Sequence, residues 1–244
     1  MWATLGDAGQ QPAAIEALIL DLDGLLIDSE RWSWEAHNQV LAGLGISPLA
    51  LAEVRSLIGL EGETEWATFR RLRPLPIDRA AYAESHAAAF VAIRAARLAP
   101  LPGVRELLEA AEGLGLLVGL ASNSGPESIE VALVGLGVRD RFAAVASGQE
   151  VAHGKPDPGV YLLALRRLGL EADQALAIED SAFGLAAART AGLRCAVVPS
   201  ELTIGLDFSG AWLRFPDLAA LARRLPAMAR SGSEKGLRRG LNIC

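Results

Sequence analysis

Residues 17–24, ALILDLDG, place an uninterrupted apolar run directly before two carboxylates and a glycine. Continuous apolar runs, without alternation, are typical of strands that are covered on both faces of a parallel sheet. Further runs of this form, each ending in polar residues, occupy Leu116–Leu120, Phe142–Ala146, Ala175–Ile178 and Cys195–Val198. We therefore predict a parallel sheet that contains these five strands.

Helical patterns separate most of these runs. Glycine directly follows several of the helices, which is a common signal for a helix end. Alternation of strands and helices predicts an α/β fold, a doubly wound parallel sheet with right-handed crossovers. The helices are predicted at Pro102–Leu114, Pro126–Leu136, Pro158–Leu168 and Ala182–Ala191.

One long interval interrupts the alternation. Residues 28–99 contain helical patterns and no convincing strand, with Ser47 and Asp78 as candidate N-caps. We expect an inserted all-helical domain at 28–99, an α/β core domain at 1–27 and 100–229, and a flexible basic tail at 230–244. The helices of the insertion are predicted at Glu30–Leu44, Pro48–Ile58, Thr64–Leu72 and Arg79–Leu98.

Composition excludes several classes of protein. The chain has 244 residues and a net charge of -6, which argues against a protein that coats nucleic acid. Two cysteines are too few for a disulfide scaffold or a cysteine zinc cluster. No apolar run approaches the ~18 residues that a membrane span needs, and no basic residue precedes Ile15 as a secretory signal would require. We expect a cytoplasmic protein that contacts neither membrane nor nucleic acid.

Four carboxylates follow two of the predicted strands. Asp21 and Asp23 follow the first strand, and Glu179 and Asp180 follow another. Ligands of such sheets bind beyond the carboxyl ends of the strands, so these groups share one edge. Carboxylates this close repel one another unless a cation lies between them. Oxygen ligands without histidine or cysteine favour Mg²⁺ over zinc.

A lysine and a hydroxyl complete the predicted site. The chain uses 21 arginines and two lysines, and Lys155 is the only lysine before the tail. Its compact charge suits a position where a planar guanidinium does not fit. Ser122 and Asn123 follow a strand and precede a helix, where hydroxyl and backbone N–H groups bind anions. Ser124 is interpreted as an N-cap and turn residue.

Together these groups suit the attack of a carboxylate on phosphorus. A cation, a lysine and a hydroxyl neutralise phosphoryl charge, and the strand-end carboxylate is the nucleophile. A second carboxylate two residues further on can act first as an acid and then as a base.

Four segments, in this order, resemble the signatures of the haloacid dehalogenase superfamily. Residues 21–30, DLDGLLIDSE, resemble the first signature, and Ser122 after an apolar strand resembles the second. Residues 154–158, GKPDP, resemble the third, and residues 178–181, IEDS, resemble the fourth. The resemblance extends over residues 15 to about 200 and implies the family's Rossmann-like core, with the insertion as its subfamily I cap, which closes over substrate.

The resemblance also implies roles for single residues. Asp21 would be the nucleophile that becomes an aspartyl-phosphate, and Asp23 would protonate the leaving oxygen and later activate water. Phosphoryl oxygens would be held by Ser122, the Asn123 backbone and Lys155. Mg²⁺ would be bound by Asp21, the Asp23 carbonyl and Asp180, with Glu179 supporting directly or through water.

Departures from the family's pattern favour one branch. Asp23 speaks for phosphoryl transfer, because true dehalogenases lack a second aspartate there. The β-phosphoglucomutase branch carries a histidine where this chain has Ser33, and a lysine and an arginine that residues 57–62 lack. We therefore expect an Mg²⁺-dependent phosphatase of a small phosphorylated, sugar-phosphate-like metabolite, acting as a monomer or, alternatively, a homodimer. The alternatives are a mutase-type phosphotransferase and, less favoured, a non-catalytic phospho-aspartate signalling domain.

Overall fold

The fold is built on a parallel β-sheet. The computed structural model describes residues 14–58 and 62–230. In these residues the sheet has the strand order β3-β2-β1-β4-β5-β6, and every neighbouring pair is parallel. The predicted α/β class is therefore confirmed. The strands are β1 Ala17–Leu20, β2 Leu117–Ser122, β3 Ala144–Ser147, β4 Ala175–Glu179, β5 Arg194–Val197 and β6 Leu213–Arg214.

Helices cover both faces of this sheet. In β1, Leu18 and Leu20 belong to the apolar cluster on one face, and Ala17 and Ile19 belong to the cluster on the other. All four side chains are buried, which explains the absence of alternation in the sequence. The helices are α1 Ser29–Gly43, α2 Leu51–Arg55, α3 Gly62–Leu72, α4 Arg79–Arg97, α5 Val104–Gly113, α6 Pro126–Gly135, α7 Gly159–Leu168, α8 Ala182–Thr190 and α9 Leu218–Arg230.

The helices α1–α4 follow β1 and contribute most of a separate, small apolar cluster. Leu41, Phe69 and Tyr82 are buried in it, together with Leu202 from the segment after β5. The first turns of α1 pack against the sheet instead, because Trp32 belongs to the apolar cluster that contains Leu18 and Leu20 of β1. In its described residues the insertion is therefore helical, as the sequence predicts. Its division from the core as a separate domain, 28–99, stays a prediction.

Two parts of the sequence interpretation are corrected. The sequence analysis gave no element to residues 201–230, where the structure has β6 and α9. The strand β6 has two residues, too few to show any periodicity, and Pro226 interrupts the helical pattern of α9.

The second correction concerns α2, which begins at Leu51 and not at Pro48. The Leu49 N–H donates to the Asn38 Oδ1 at 2.7 Å, and the Trp34 Nε1 donates to the Leu49 carbonyl at 2.9 Å. These bonds hold the chain before α2 outside a helix, and Ser47 caps nothing there. The other predicted cap is confirmed, because the Asp78 side chain accepts the Ala81 N–H at the start of α4.

None of the described helices combines the length and the apolar character that crossing a bilayer requires. The predicted flexible basic tail, 230–244, lies outside the described residues apart from Arg230, the last residue of α9.

Candidate active site

The site lies at the carboxyl edge of the sheet, where the strand order reverses. β1 pairs with β2 on one side and with β4 on the other. Asp21 directly follows β1, Ser122 ends β2 and Glu179 ends β4. Because all three strands are parallel, their polar ends meet at one point. The sequence-predicted residues are thus brought together.

Lys155 occupies the centre of this arrangement and is buried. Its Nζ donates to the Asp21 Oδ1 at 2.5 Å, to the Glu179 Oε1 at 2.6 Å and to the Ala121 carbonyl at 2.7 Å. Burial by itself lowers the pKa of this ammonium, but Asp21 and Glu179 raise it above its ordinary value. Lys155 therefore keeps its positive charge beside the nucleophile candidate.

Glu179, the last residue of β4, is fully buried and accepts a hydrogen bond from Lys155. Besides Lys155, it accepts the Tyr161 hydroxyl at 2.5 Å and the Ser181 hydroxyl at 3.0 Å. The Lys155 Nζ also lies 5.0 Å from the centre of the Tyr161 ring. A Cβ on Gly184 would lie 1.9 Å from the Glu179 carboxylate, so only glycine fits there. Glu179 therefore holds Lys155 in place.

The side chain of Asn123 fixes the backbone of Lys155. Its Oδ1 accepts the Lys155 N–H at 2.7 Å, and its Nδ2 donates to the Lys155 carbonyl at 3.2 Å. A Cβ on Gly154 would lie 2.6 Å from the same Oδ1. The pair of bonds ties the loop before α7 to the end of β2.

Asp23 lies beside Asp21 and is oriented by two serines. Its Oδ2 accepts the Ser124 hydroxyl at 2.7 Å and the Ser122 hydroxyl at 3.2 Å. Ser122 is fully buried, and its Oγ also accepts the Ser124 N–H at 3.0 Å. The interpretation of Ser124 as an N-cap is wrong, because α6 begins after Gly125 without a side-chain cap. The Ser124 hydroxyl instead donates its hydrogen bond to Asp23.

Three carboxylates could hold a metal ion. Asp21, Glu179 and Asp180 each present an oxygen within 4.8 Å of the others. Burial raises the pKa of Asp21 to about 8, although Lys155 opposes the rise, and burial also raises the pKa of Asp180. A divalent cation would offset this excess negative charge, and hard oxygen donors suit such an ion. The residues present therefore fit a divalent metal.

The turn after β1 is shaped around the same carboxylates. Gly24 has a φ of +75°, and a Cβ there would lie 2.3 Å from the Asp180 Oδ2. Glycine both tolerates this left-handed backbone and leaves room for Asp180.

A cavity of about 590 Å³ opens above these groups. Asp21, Asp23 and Lys155 line its floor, and Glu30 and Glu65 line it from α1 and α3. The cavity therefore lies between the edge of the sheet and the inserted helices. Ser33, Trp34, His37, Asn123, Ser124, Asp180 and Phe183 also line it.

A family model described as haloacid dehalogenase-like hydrolase matches residues 18–198. The chain belongs to this family. Among the relatives of this haloacid dehalogenase-like hydrolase, CbbY of Rhodobacter capsulatus is 38% identical over 218 residues, which cover 85% of this chain and 96% of CbbY. Hexitol phosphatase B of Escherichia coli (strain K12) is 35% identical over 190 residues, which cover 78% and 86% of the two chains.

Solved structures agree with this membership. A variant of Rhodobacter sphaeroides CbbY, in complex with xylulose-(1,5)bisphosphate, has a TM-score of 0.71 and 33% identity, with 85% of this chain and 96% of that chain covered. The family and the Rossmann-like fold that four short motifs imply are therefore confirmed for this haloacid dehalogenase-like hydrolase.

Sequence reasoning missed several residues of the site. Tyr161 and Gly184 read as ordinary positions of α7 and α8, and nothing in the pattern links them to Glu179. The Asn123 side chain was overlooked in favour of its backbone. Glu30 stands in the first signature, but its place on the cavity wall depends on the start of α1.

Proposed function

We propose that this enzyme is an Mg²⁺-dependent phosphatase that hydrolyses a small phosphorylated metabolite through an aspartyl-phosphate. One observation carries the proposal. Asp21 and Asp23 line the floor of a single cavity with Lys155, whose Nζ lies 2.5 Å from the Asp21 Oδ1. A nucleophile, an acid and a fixed cation thus surround one point, where a phosphoryl group can bind.

In the first step, an Asp21 carboxylate oxygen attacks phosphorus and the bond from phosphorus to the leaving oxygen breaks. Asp23 donates its proton to that oxygen, so the leaving group departs as an alcohol. Ser122 and Ser124 orient Asp23 for the transfer through their hydrogen bonds to its Oδ2. Lys155 and the backbone at Asn123 neutralise and position the phosphoryl oxygens.

In the second step, water attacks the phosphorus of the aspartyl-phosphate. Asp23, now a carboxylate, takes the proton of that water, and the bond from Asp21 to phosphorus breaks. Inorganic phosphate leaves, and both aspartates regain their starting states. The same residue thus serves as acid and then as base.

Asp21, Asp180 and the Asp23 carbonyl would hold Mg²⁺, and Glu179 would support it indirectly. The ion supplies charge neutralisation for the phosphoryl oxygens when it is bound. Indirect support by Glu179 accords with its burial and with the three donors that already contact it.

We further propose that residues 28–99 act as a cap over the cavity. Helices α1 and α3 contribute its upper wall. A cap of this kind excludes water while the aspartyl-phosphate forms, which limits side reactions with water during the first step.

We also propose a cytoplasmic location, because charged phosphate esters do not cross membranes unaided.

Hydrolysis is favoured over the two alternatives. Ser33 lines the cavity at the position where the mutase branch has a histidine, so a residue typical of the mutase branch is missing there. A signalling domain needs no cavity for a leaving group, whereas this chain has one, which is lined from the sheet edge and from helices α1, α2, α3 and α8.

The test is phosphate release from a panel of phosphorylated metabolites. The wild type is expected to turn over repeatedly with Mg²⁺, to lose activity in chelator and to recover it when Mg²⁺ is added. Asp21→Asn should abolish turnover, whereas Asp140→Asn, which changes an exposed aspartate outside the cavity, should not. Wild-type turnover in Asp21→Asn, or full activity in chelator, would contradict the proposal.

A further inference from the structure

A second cavity, of about 540 Å³, lies between α4 of the insertion and α6, and the proposed phosphatase chemistry does not use it. Its volume is in the range of cavities that bind small molecules. It adjoins the cavity above Asp21, because Ser33 lines both. The His86 Nε2, in the second cavity, lies 3.2 Å from the Ser33 carbonyl oxygen. The second cavity is therefore a separate space next to the candidate active site.

Part of the lining of the second cavity is apolar and preformed. The Phe90 ring is held against Trp32 and His86, with ring centres 6.4 Å and 6.3 Å apart. Val91 on α4 and Val131 on α6 are 52% and 44% exposed, and both line the cavity. Apolar side chains that stay exposed around one cavity indicate a surface that a ligand covers. Phe90, Val91 and Val131 are called the apolar lining below.

Two opposite charges line the second cavity without pairing. Its charged lining residues are Arg94 on α4 and Glu127 on α6, and neither forms an ion pair with any described residue. Other charged residues of the same helices do form ion pairs, as Arg97 on α4 and Glu130 on α6 show. A cation and an anion are therefore both available to a ligand in this cavity.

The guanidinium of Arg94 is held across the cavity from α4 to α6. Its Nη1 donates to the Ser128 hydroxyl at 2.9 Å, and the remaining N–H groups of the guanidinium are left to bind an acceptor. Burial lowers the pKa of His86, so that ring carries little charge at neutral pH. Arg94 and Glu127 therefore decide the electrostatics of the cavity.

A ligand of this cavity must match both charges. A carboxylate accepts hydrogen bonds from Arg94, but a ligand with that group alone is repelled by Glu127. A ligand with an ammonium group alone binds Glu127 and is repelled by Arg94. We propose that the second cavity binds an α-amino acid with an apolar side chain. Its carboxylate contacts Arg94, its ammonium group contacts Glu127, and its side chain packs against the apolar lining.

Three probes of similar size test the two charges. L-Phenylalanine carries both charged groups, 3-phenylpropanoate lacks the ammonium group, and 2-phenylethylamine lacks the carboxylate. In isothermal titration calorimetry at neutral pH, the wild type should bind L-phenylalanine with a Kd about 10-fold lower than either analogue. Each analogue loses one charge-assisted contact and keeps one repulsion. Equal Kd values for the three probes, or no binding of L-phenylalanine, would overturn the inference.

Substitutions locate the bound amino acid. Arg94→Gln should remove the preference for L-phenylalanine over 2-phenylethylamine, and Glu127→Gln should remove its preference over 3-phenylpropanoate. Arg97→Gln and Glu130→Gln are the matched controls, because both residues lie on the same two helices outside the cavity lining. They should bind the probes as the wild type does. Unchanged preferences in both cavity variants would overturn the assignment of the site.

A second copy of the chain is the competing occupant, because Arg94 of one copy can pair with Glu127 of another across a two-fold axis. Sedimentation velocity distinguishes the two. A wild-type dimer that Arg94→Gln dissociates, without binding of L-phenylalanine, would overturn the proposal in favour of that contact. Phosphate release from p-nitrophenyl phosphate tests the phosphatase function separately, since neither Arg94 nor Glu127 lines the cavity above Asp21.

Discussion

Replacement of Lys155 by methionine tests the centre of the site through stability as well as activity. The substitution preserves much of the side-chain volume and removes the ammonium. Three short hydrogen bonds are lost, to Asp21, Glu179 and the Ala121 carbonyl. Two buried carboxylates are then left without their cation.

The expected cost follows from that burial. Removal of one partner from a buried ion pair costs about 3–5 kcal/mol, because the remaining charge stays desolvated. Asp21 can relieve part of this cost by taking up a proton, because burial raises its pKa and the opposing effect of Lys155 is lost in the variant. We therefore expect the free energy of unfolding to fall by about 3 kcal/mol. Turnover should fall by about 10²- to 10³-fold, as for the loss of one group that stabilises transition-state charge.

Urea denaturation followed by circular dichroism measures the first effect, and phosphate release measures the second. Arg166→Met is the control, because it removes an exposed cation from α7, the helix that follows Lys155. The double variant Lys155→Met/Glu179→Gln should recover about 1–2 kcal/mol, since the uncompensated carboxylate is gone. A Lys155→Met protein within about 0.5 kcal/mol of wild type, or a double variant with no recovery, would refute the reasoning.

Three further predictions concern the surroundings of the site. Tyr161→Phe removes a donor from Glu179 and should cost about 1–2 kcal/mol in urea denaturation; an unchanged midpoint would contradict that hydrogen bond. Gly184→Ala forces a Cβ against Glu179 and should cost about 1–3 kcal/mol and most of the turnover, whereas Gly113→Ala, with open space around it, should cost nothing. The pKa of His37 is lowered by burial to about 3, so the unfolded chain binds its proton first as pH falls below about 6.5. Relative to His37→Gln, the wild type should therefore lose up to about 2 kcal/mol between pH 7.5 and pH 5 in denaturation titrations; a constant difference would contradict this.

The framework of the fold was predictable from local patterns. β1 was predicted with its observed bounds, because burial on both faces leaves an uninterrupted apolar run. The start of α4 was predicted from Asp78, a cap that acts within one turn. The bounds of β1 and the start of α4 depend only on residues that are close in sequence, so local patterns predict them directly.

What the sequence did not reveal depends on contacts between distant residues. The start of α2 is set by Asn38, which binds the Leu49 N–H from the preceding helix. Tyr161 lies six residues after Lys155 and on a helix, yet it reaches Glu179 at the end of β4. Local propensity carries no information about such pairs, whereas strand-end aspartates and a solitary lysine do indicate a shared edge.

The polar network beneath the cavity is better explained by chemistry than by stability. Apolar residues of similar volume commonly stabilise a core as well as or better than buried ions do. Here the chain buries Lys155 among carboxylates, and it supports them with Tyr161 and with a glycine that alone leaves room for Glu179. Each contact narrows the position of one ammonium group beside Asp21. A cation that is already fixed in place needs little reorganisation when negative charge develops on a phosphoryl group. The arrangement therefore lowers the energy barrier of phosphoryl transfer.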